Sequence, residues 1–323
     1  MRSIRSAAVS MLLVVGFATA PWAQDGLQRF EKEIKPQLEL KNFTYSGAQA
    51  RGDSGFVLND VVAVIPANPA TGDKETTVKI QRVTVDELDF DRLKKDAKSD
   101  EAPRFAKLKL EGMTGDDEVF TALQPYGVPN VPVDVALDYE LSPDEKVLDL
   151  KTLEVSLRGQ AKVALSLVLE GISDKAGVAG AKDDGRLRTA SLTIDDIKLL
   201  SNLLPALAKS EGVKTDEMVQ TARAAIAGFA ESQGPETLKA LDAISSFVAD
   251  WKAPKGALIL GLKPAKKAAL SDLDKIMVPN ALWTEFGFTA SYPGTKDGAA
   301  EQERAASHFA AAPALAAPSL VPG

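Results

Sequence analysis

No cysteine occurs in the 323 residues, and the single histidine is His308, near the C-terminus. Those two absences remove much of the usual chemistry. Without cysteine there is no disulfide, no thiolate nucleophile and no lipobox residue to carry a lipid anchor. Without a histidine in the body of the chain, zinc centres built from nitrogen and sulfur ligands are excluded. Ser-His-Asp and Cys-His nucleophile systems are excluded for the same reason. No Gly-x-Gly-x-x-Gly follows a strand, and no phosphate loop is present. The sequence therefore assigns no catalytic residue, no cofactor and no metal ligand.

Gly52-Asp53-Ser54-Gly55 resembles the tetrapeptide around a trypsin-like serine, but Phe56 follows where another glycine is expected. With no histidine to activate Ser54, these residues read as a hairpin turn. The same turn accounts for Arg51-Gly52-Asp53. The acidic clusters Asp86/Glu87/Asp89/Asp91, Asp116/Asp117/Glu118 and Asp195/Asp196 lack the spacing of a calcium loop. They fit helix caps and first-turn acids better. A hydrolase using two carboxylates stays open, because the pairing of acids is invisible in sequence.

Long apolar runs are also missing, apart from one. Ala7 to Ala20 is almost wholly apolar, follows Arg2 and Arg5, and ends in small residues that offer cleavage near Ala20 or Ala23. About 14 residues is too short to span a bilayer, so residues 1–23 read as a secretory signal peptide. The expectation is a soluble, exported and periplasmic bacterial protein without a transmembrane anchor. Loss of Arg2 and Arg5 with the signal takes the formal charge from −7 to −9. An acidic surface argues against nucleic acid as a partner.

What is present is alternation. From Val131 to Leu141 every second residue is apolar and the intervening residues are mostly polar, the mark of an antiparallel strand with one wet face. Strands are predicted at 38–45 with a slip of phase, and at 56–65, 78–85, 147–157, 161–170, 257–263 and 282–292. A short helix is predicted at 25–35, ended by Pro36. Three more follow between 195 and 250, opened by Asp195 or Asp196, by Thr215 or Asp216, and by Pro235.

One pattern occurs twice. Val83 to Leu88, a strand at 108–112, a short helix at 116–124, Val128-Pro129-Asn130 and a strand ending at Tyr139 form the first copy. Leu192 to Ile197, a strand at 258–261, a helix at 270–277, Val278-Pro279-Asn280 and a strand ending at Tyr292 form the second. The expected fold is α+β: an antiparallel β-rich meander of two similar units, each with a short helix. A helical layer is inserted into the second at about 195–250. The units run over 25–190 and 191–292. Residues 293–323 are Ala/Pro-rich and read as a disordered tail.

Aromatic residues make up only 6% of the chain, and Trp283, Phe286, Phe288 and Tyr292 gather at its last strand. Phe286 and Phe288 share a face and Trp283 takes the other, which makes the four the candidates for ligand or interface contacts. Two functional classes lead. One is a non-enzymatic carrier of a lipid or other apolar ligand, held in the groove of a curled sheet. The other is a structural or adaptor protein of the cell envelope that binds another protein. A carboxylate-based hydrolase ranks third.

Overall fold

A computed structural model describes residues 25–68, 74–94, 101–116, 121–174, 184–230, 234–272 and 281–295. The signal sequence, Val278-Pro279-Asn280, most of the expected helix at 270–277 and the tail beyond residue 295 lie outside the described residues.

The chain folds as α+β, around one antiparallel sheet of twelve strands. In chain order these are β1 (Asn42–Thr44), β2 (Gly47–Arg51), β3 (Gly55–Ile65), β4 (Thr76–Leu88), β5 (Phe105–Gly115) and β6 (Val133–Ser142). There follow β7 (Val147–Leu157), β8 (Ala161–Glu170), β9 (Arg186–Asp196), β10 (Leu258–Leu262), β11 (Ala268–Ala269) and β12 (Phe288–Ser291). The spatial order is β1-β3-β4-β5-β6-β7-β8-β9-β10-β12, so the middle of the sheet is a plain meander. β2 pairs with the same strand as β1, and β11 with the same strand as β10, at registers farther along. The slip of phase expected near residue 45 is the break between β1 and β2. The predicted turn 52–54 joins β2 to β3, with Gly52 at φ +68.

Six α-helices are described: α1 (Gly26–Arg29), α2 (Phe90–Leu93), α3 (Leu199–Ser210), α4 (Thr215–Ala230), α5 (Pro235–Ala249) and α6 (Ala281–Thr284). Asp25 opens α1 by accepting from the Gln28 amide at 2.8 Å. The helix then runs through a π turn, Phe30–Ile34, and a 3₁₀ turn, Lys35–Gln37, which contains Pro36. Its buried Phe30 stacks on Phe56 of β3 at 4.5 Å. Asp196 accepts from the Leu200 amide at 3.0 Å in the first turn of α3, as the sequence anticipates, and Pro205 lies inside that helix. Pro235 occupies the first turn of α5.

One expectation needs correction. Residues 282–292 are not one strand: α6 occupies Ala281–Thr284, and β12 begins only at Phe288. Gly287 between them has φ +57, and a Cβ there would collide with the Lys263 carbonyl. The backbone reversal breaks the alternation, so Phe286 and Phe288 enter different clusters. β9 crosses positions 190 and 191, where Ala190 and Ser191 both pair with β8 and β10 in one continuous sheet.

Candidate functional site

Directly opposed residues of antiparallel strands point to the same face. One register row reads Leu58, Val83, Leu110, Val135, Val155, Val163, Ile194, Leu258 across β3 to β10. The next row on that face reads Phe56, Val85, Leu108, Leu137, Leu153, Leu165, Leu192, Leu260, Ala290. Every member of both rows is apolar. The row between them, on the opposite face, reads Val57, Thr84, Lys109, Ala136, Glu154, Ala164, Thr193, Ile259, apolar only toward its ends and at two alanines. Two pairs of charges on that face bridge strands, Lys107 with Asp138 at 3.3 Å and Lys162 with Glu154 at 3.6 Å. The sheet has one hydrocarbon face and one salt-laced face.

Helices cover the two ends of the hydrocarbon face. At the β3–β5 end, Leu27, Phe30 and Ile34 pack on Phe56, Leu58, Val85 and Leu108. At the β9–β12 end, Ala240, Ala243, Ile244 and Phe247 of α5 pack on Ile194, Leu258, Leu260, Ala290 and Tyr292. Between these walls Leu110, Val135, Leu137, Leu153, Val155, Val163, Leu165 and Leu192 belong to none of the three buried clusters. Leu153, Val155 and Val163 are 38%, 42% and 38% exposed. Central strands of a large sheet normally bury such residues. The strip between β5 and β9 is four strand spacings wide, about 19 Å.

One end of this strip is filled. Leu141, Leu169, Ile172, Leu187 and Phe286 form a buried cluster there, against which Leu148, Leu167 and Ala102 pack. Ion pairs hold the segment that carries Ala102. Arg92 bridges Glu101 at 3.2 Å and Asp174 at 3.1 Å, and donates to the Ala102 carbonyl. Arg104 forks onto the buried Asp89 at 2.8 and 3.2 Å. Burial alone would raise the Asp89 pKa, but hydrogen bonds from the Arg104 side chain and amide, with the charges of Arg104 and Arg92, hold it below its ordinary value. Tyr139, in the row nearest this end, donates to the Pro103 carbonyl at 3.2 Å.

Trp283, Phe286, Phe288 and Tyr292 do not line the open strip. Phe286 is fully buried in the filled end. Tyr292 is fully buried behind α5, edge-on to Phe247 at 5.4 Å, and donates to Asp250 at 3.0 Å. Trp283 and Phe288 meet edge-on at 4.8 Å in the same wall. The four build the boundaries of the strip. Its floor is aliphatic, and the residues that make it were legible as alternation in β6 and β8 but not as an exposed surface.

The most buried acids do not converge. Asp89 follows β4 and Asp196 ends β9, strands that are five spacings apart, or about 24 Å. Asp196 sits with one carboxylate oxygen unpartnered, and its pKa is raised by burial against the opposing pull of the Leu200 and Leu199 amides. Two concavities lie off the strip. One of about 610 Å³ opens between the α3–α4 turn and Trp251-Lys252, and one of about 230 Å³ lies among Lys107, Asp138, Glu140 and Lys151. Among the described residues no group of three His, Cys, Asp or Glu is placed to hold a metal ion, and no helix is long and apolar enough to cross a membrane.

Residues 149–293 match a family model described only as an uncharacterized protein. That stretch runs from β7 to just past β12, so it takes in the exposed half of the strip and the wall formed by α5. No curated protein matches the chain.

Proposed function

We propose that the protein is an exported, non-enzymatic carrier that holds an apolar ligand, a lipid hydrocarbon chain, on the strip between its helical walls. The observation that carries this reading is the exposure of Leu153, Val155 and Val163 in the middle of two unbroken apolar rows. Dimensions support it. One leaflet of a bilayer holds about 15 Å of hydrocarbon, half of the roughly 30 Å core, and the strip is wide enough to seat that length. The export half of the reading rests on the signal sequence. Purification from the periplasm, organic extraction and mass spectrometry test the whole. Lipid in the extract and saturable binding of a fluorescent fatty acid are expected; an empty extract with no binding removes the reading.

A second reading, an adaptor of the cell envelope, is favoured by exposed apolar residues elsewhere. Phe229 near the end of α4 and Leu238 in the first turns of α5 are 45% and 44% exposed. Reproducible capture of one envelope protein by a photo-crosslinker at Phe229 supports it, and its loss on Leu238→Asp assigns the contact. The same proposal takes β4-β5-β6 and β9-β10-β12 as copies of one ancestral unit, with α3 to α5 inserted in the second. Superposition of the two triplets tests this, and dissimilar paths refute it.

A further inference from the structure

We infer that the strip recognises a single unbranched aliphatic chain by its hydrocarbon alone and is indifferent to head-group charge. This rests on the carrier reading and narrows its ligand. Four observations lead to it. First, both rows from β5 to β9 are aliphatic, and the one ring on the adjoining row, Tyr139, is tied by its hydroxyl to the Pro103 carbonyl. Second, no cation projects from those rows. Lys107, Lys109 and Lys162 all stand on the opposite face, in register with Asp138, Ala136 and Ser156. Third, two of the three cations of the N-terminal wall are engaged, and the third, Lys32, is exposed to solvent. Arg29 pairs with Glu33 and Asp91 at 3.3 and 2.7 Å, and Lys35 with Glu31 at 2.9 Å. Fourth, the open area is small. Three side chains about two-fifths exposed suit one chain, whereas a stable protein interface takes roughly 20–30 residues a side.

Recognition by hydrocarbon alone has a distinct thermodynamic pattern. Each methylene that leaves water adds a constant increment to affinity, with no contribution from charge. Binding should therefore strengthen roughly fourfold per CH₂, the ratio that corresponds to about 0.8 kcal/mol. The helical walls on either side of the strip stop further gain once the chain spans it.

The test uses the full mature chain and a titration series of n-alkanoic acids with the matching n-alkanols, at low and high salt. Expected are parallel series with the fourfold step, acid and alcohol within about threefold of each other, and no weakening by salt. Val155→Glu should weaken every member at least tenfold, while Lys198→Ala, at the exposed turn into α3, changes none. A preference for the acid above tenfold that collapses in salt or with Lys198→Ala overturns the inference but leaves the carrier reading standing. Failure of every compound to bind overturns both.

Discussion

Asp89 and Arg104 show how single residues guard the filled end of the strip. Asp89 is buried and Arg104 is its forked partner, so truncating the arginine strands a carboxylate in a site with only Arg92 nearby. Arg104→Ala should cost about 2 kcal/mol, below the full value for a buried pair because Arg104 itself is partly solvated, and urea unfolding will measure it. The sign of the pH effect follows from the lowered pKa. The pair's contribution is complete above the unfolded value of about 3.9 and is lost as pH falls through the folded value. Asp134, held low by its hydrogen bonds from Arg158, behaves the same way. Asp196 has the opposite sign, because burial raises it: its ionised form costs stability at neutral pH, and acid relieves that cost. Acid titration of the melting temperature should therefore fall less steeply for Asp89→Asn than for the wild type. An unchanged acid limb contradicts the assignment.

Among the elements, β5, β7 and α5 shape the strip most directly. β5 changes register between Leu110 and Met113, where Gly112 takes φ +67 beside the Gln81 side chain. A Cβ would collide there and also strain the backbone, so Gly112→Ala should cost roughly 1–2 kcal/mol by thermal or chemical unfolding. In β7 the extra residue near Lys151 returns Leu150 to the same face as Leu153, which keeps the floor continuous down to Tyr139. α5 is the wall. Phe247 is buried against Tyr292, and Phe247→Ala should cost about 3–4 kcal/mol through the cavity left behind. Period-two alternation made β8 readable to the residue, whereas β7 was placed by the turns around it, since its extra residue near Lys151 breaks the alternation. The sequence opened α4 at Thr215 or Asp216 and α5 at Pro235, and the helices begin at Thr215 and Pro235. The final strand was misread because Phe286 and Phe288 keep an apolar spacing across Gly287, and spacing carries no trace of the reversal at that glycine. β11 is two residues long and has no periodicity to read.

At the scale of the molecule, segregation of the two faces was visible in sequence, but coverage was not. Coverage depends on where α5 and the N-terminal helix land, and those contacts join residues far apart in the chain. The consequence, among the described residues, is a sheet whose middle is apolar and partly exposed, a state that costs solubility unless something fills it. Charging that middle should therefore not harm folding. Leu153→Asp and Val155→Glu replace side chains already about two-fifths exposed, and are expected to leave the unfolding midpoint within about 0.5 kcal/mol of wild type. The central claim is tested most directly by a fluorescent fatty acid titrated into wild-type protein and into Val155→Glu in parallel. The account predicts saturable binding to the wild type and at least a tenfold loss in the folded variant. Equal binding by both, or none by either, would contradict it.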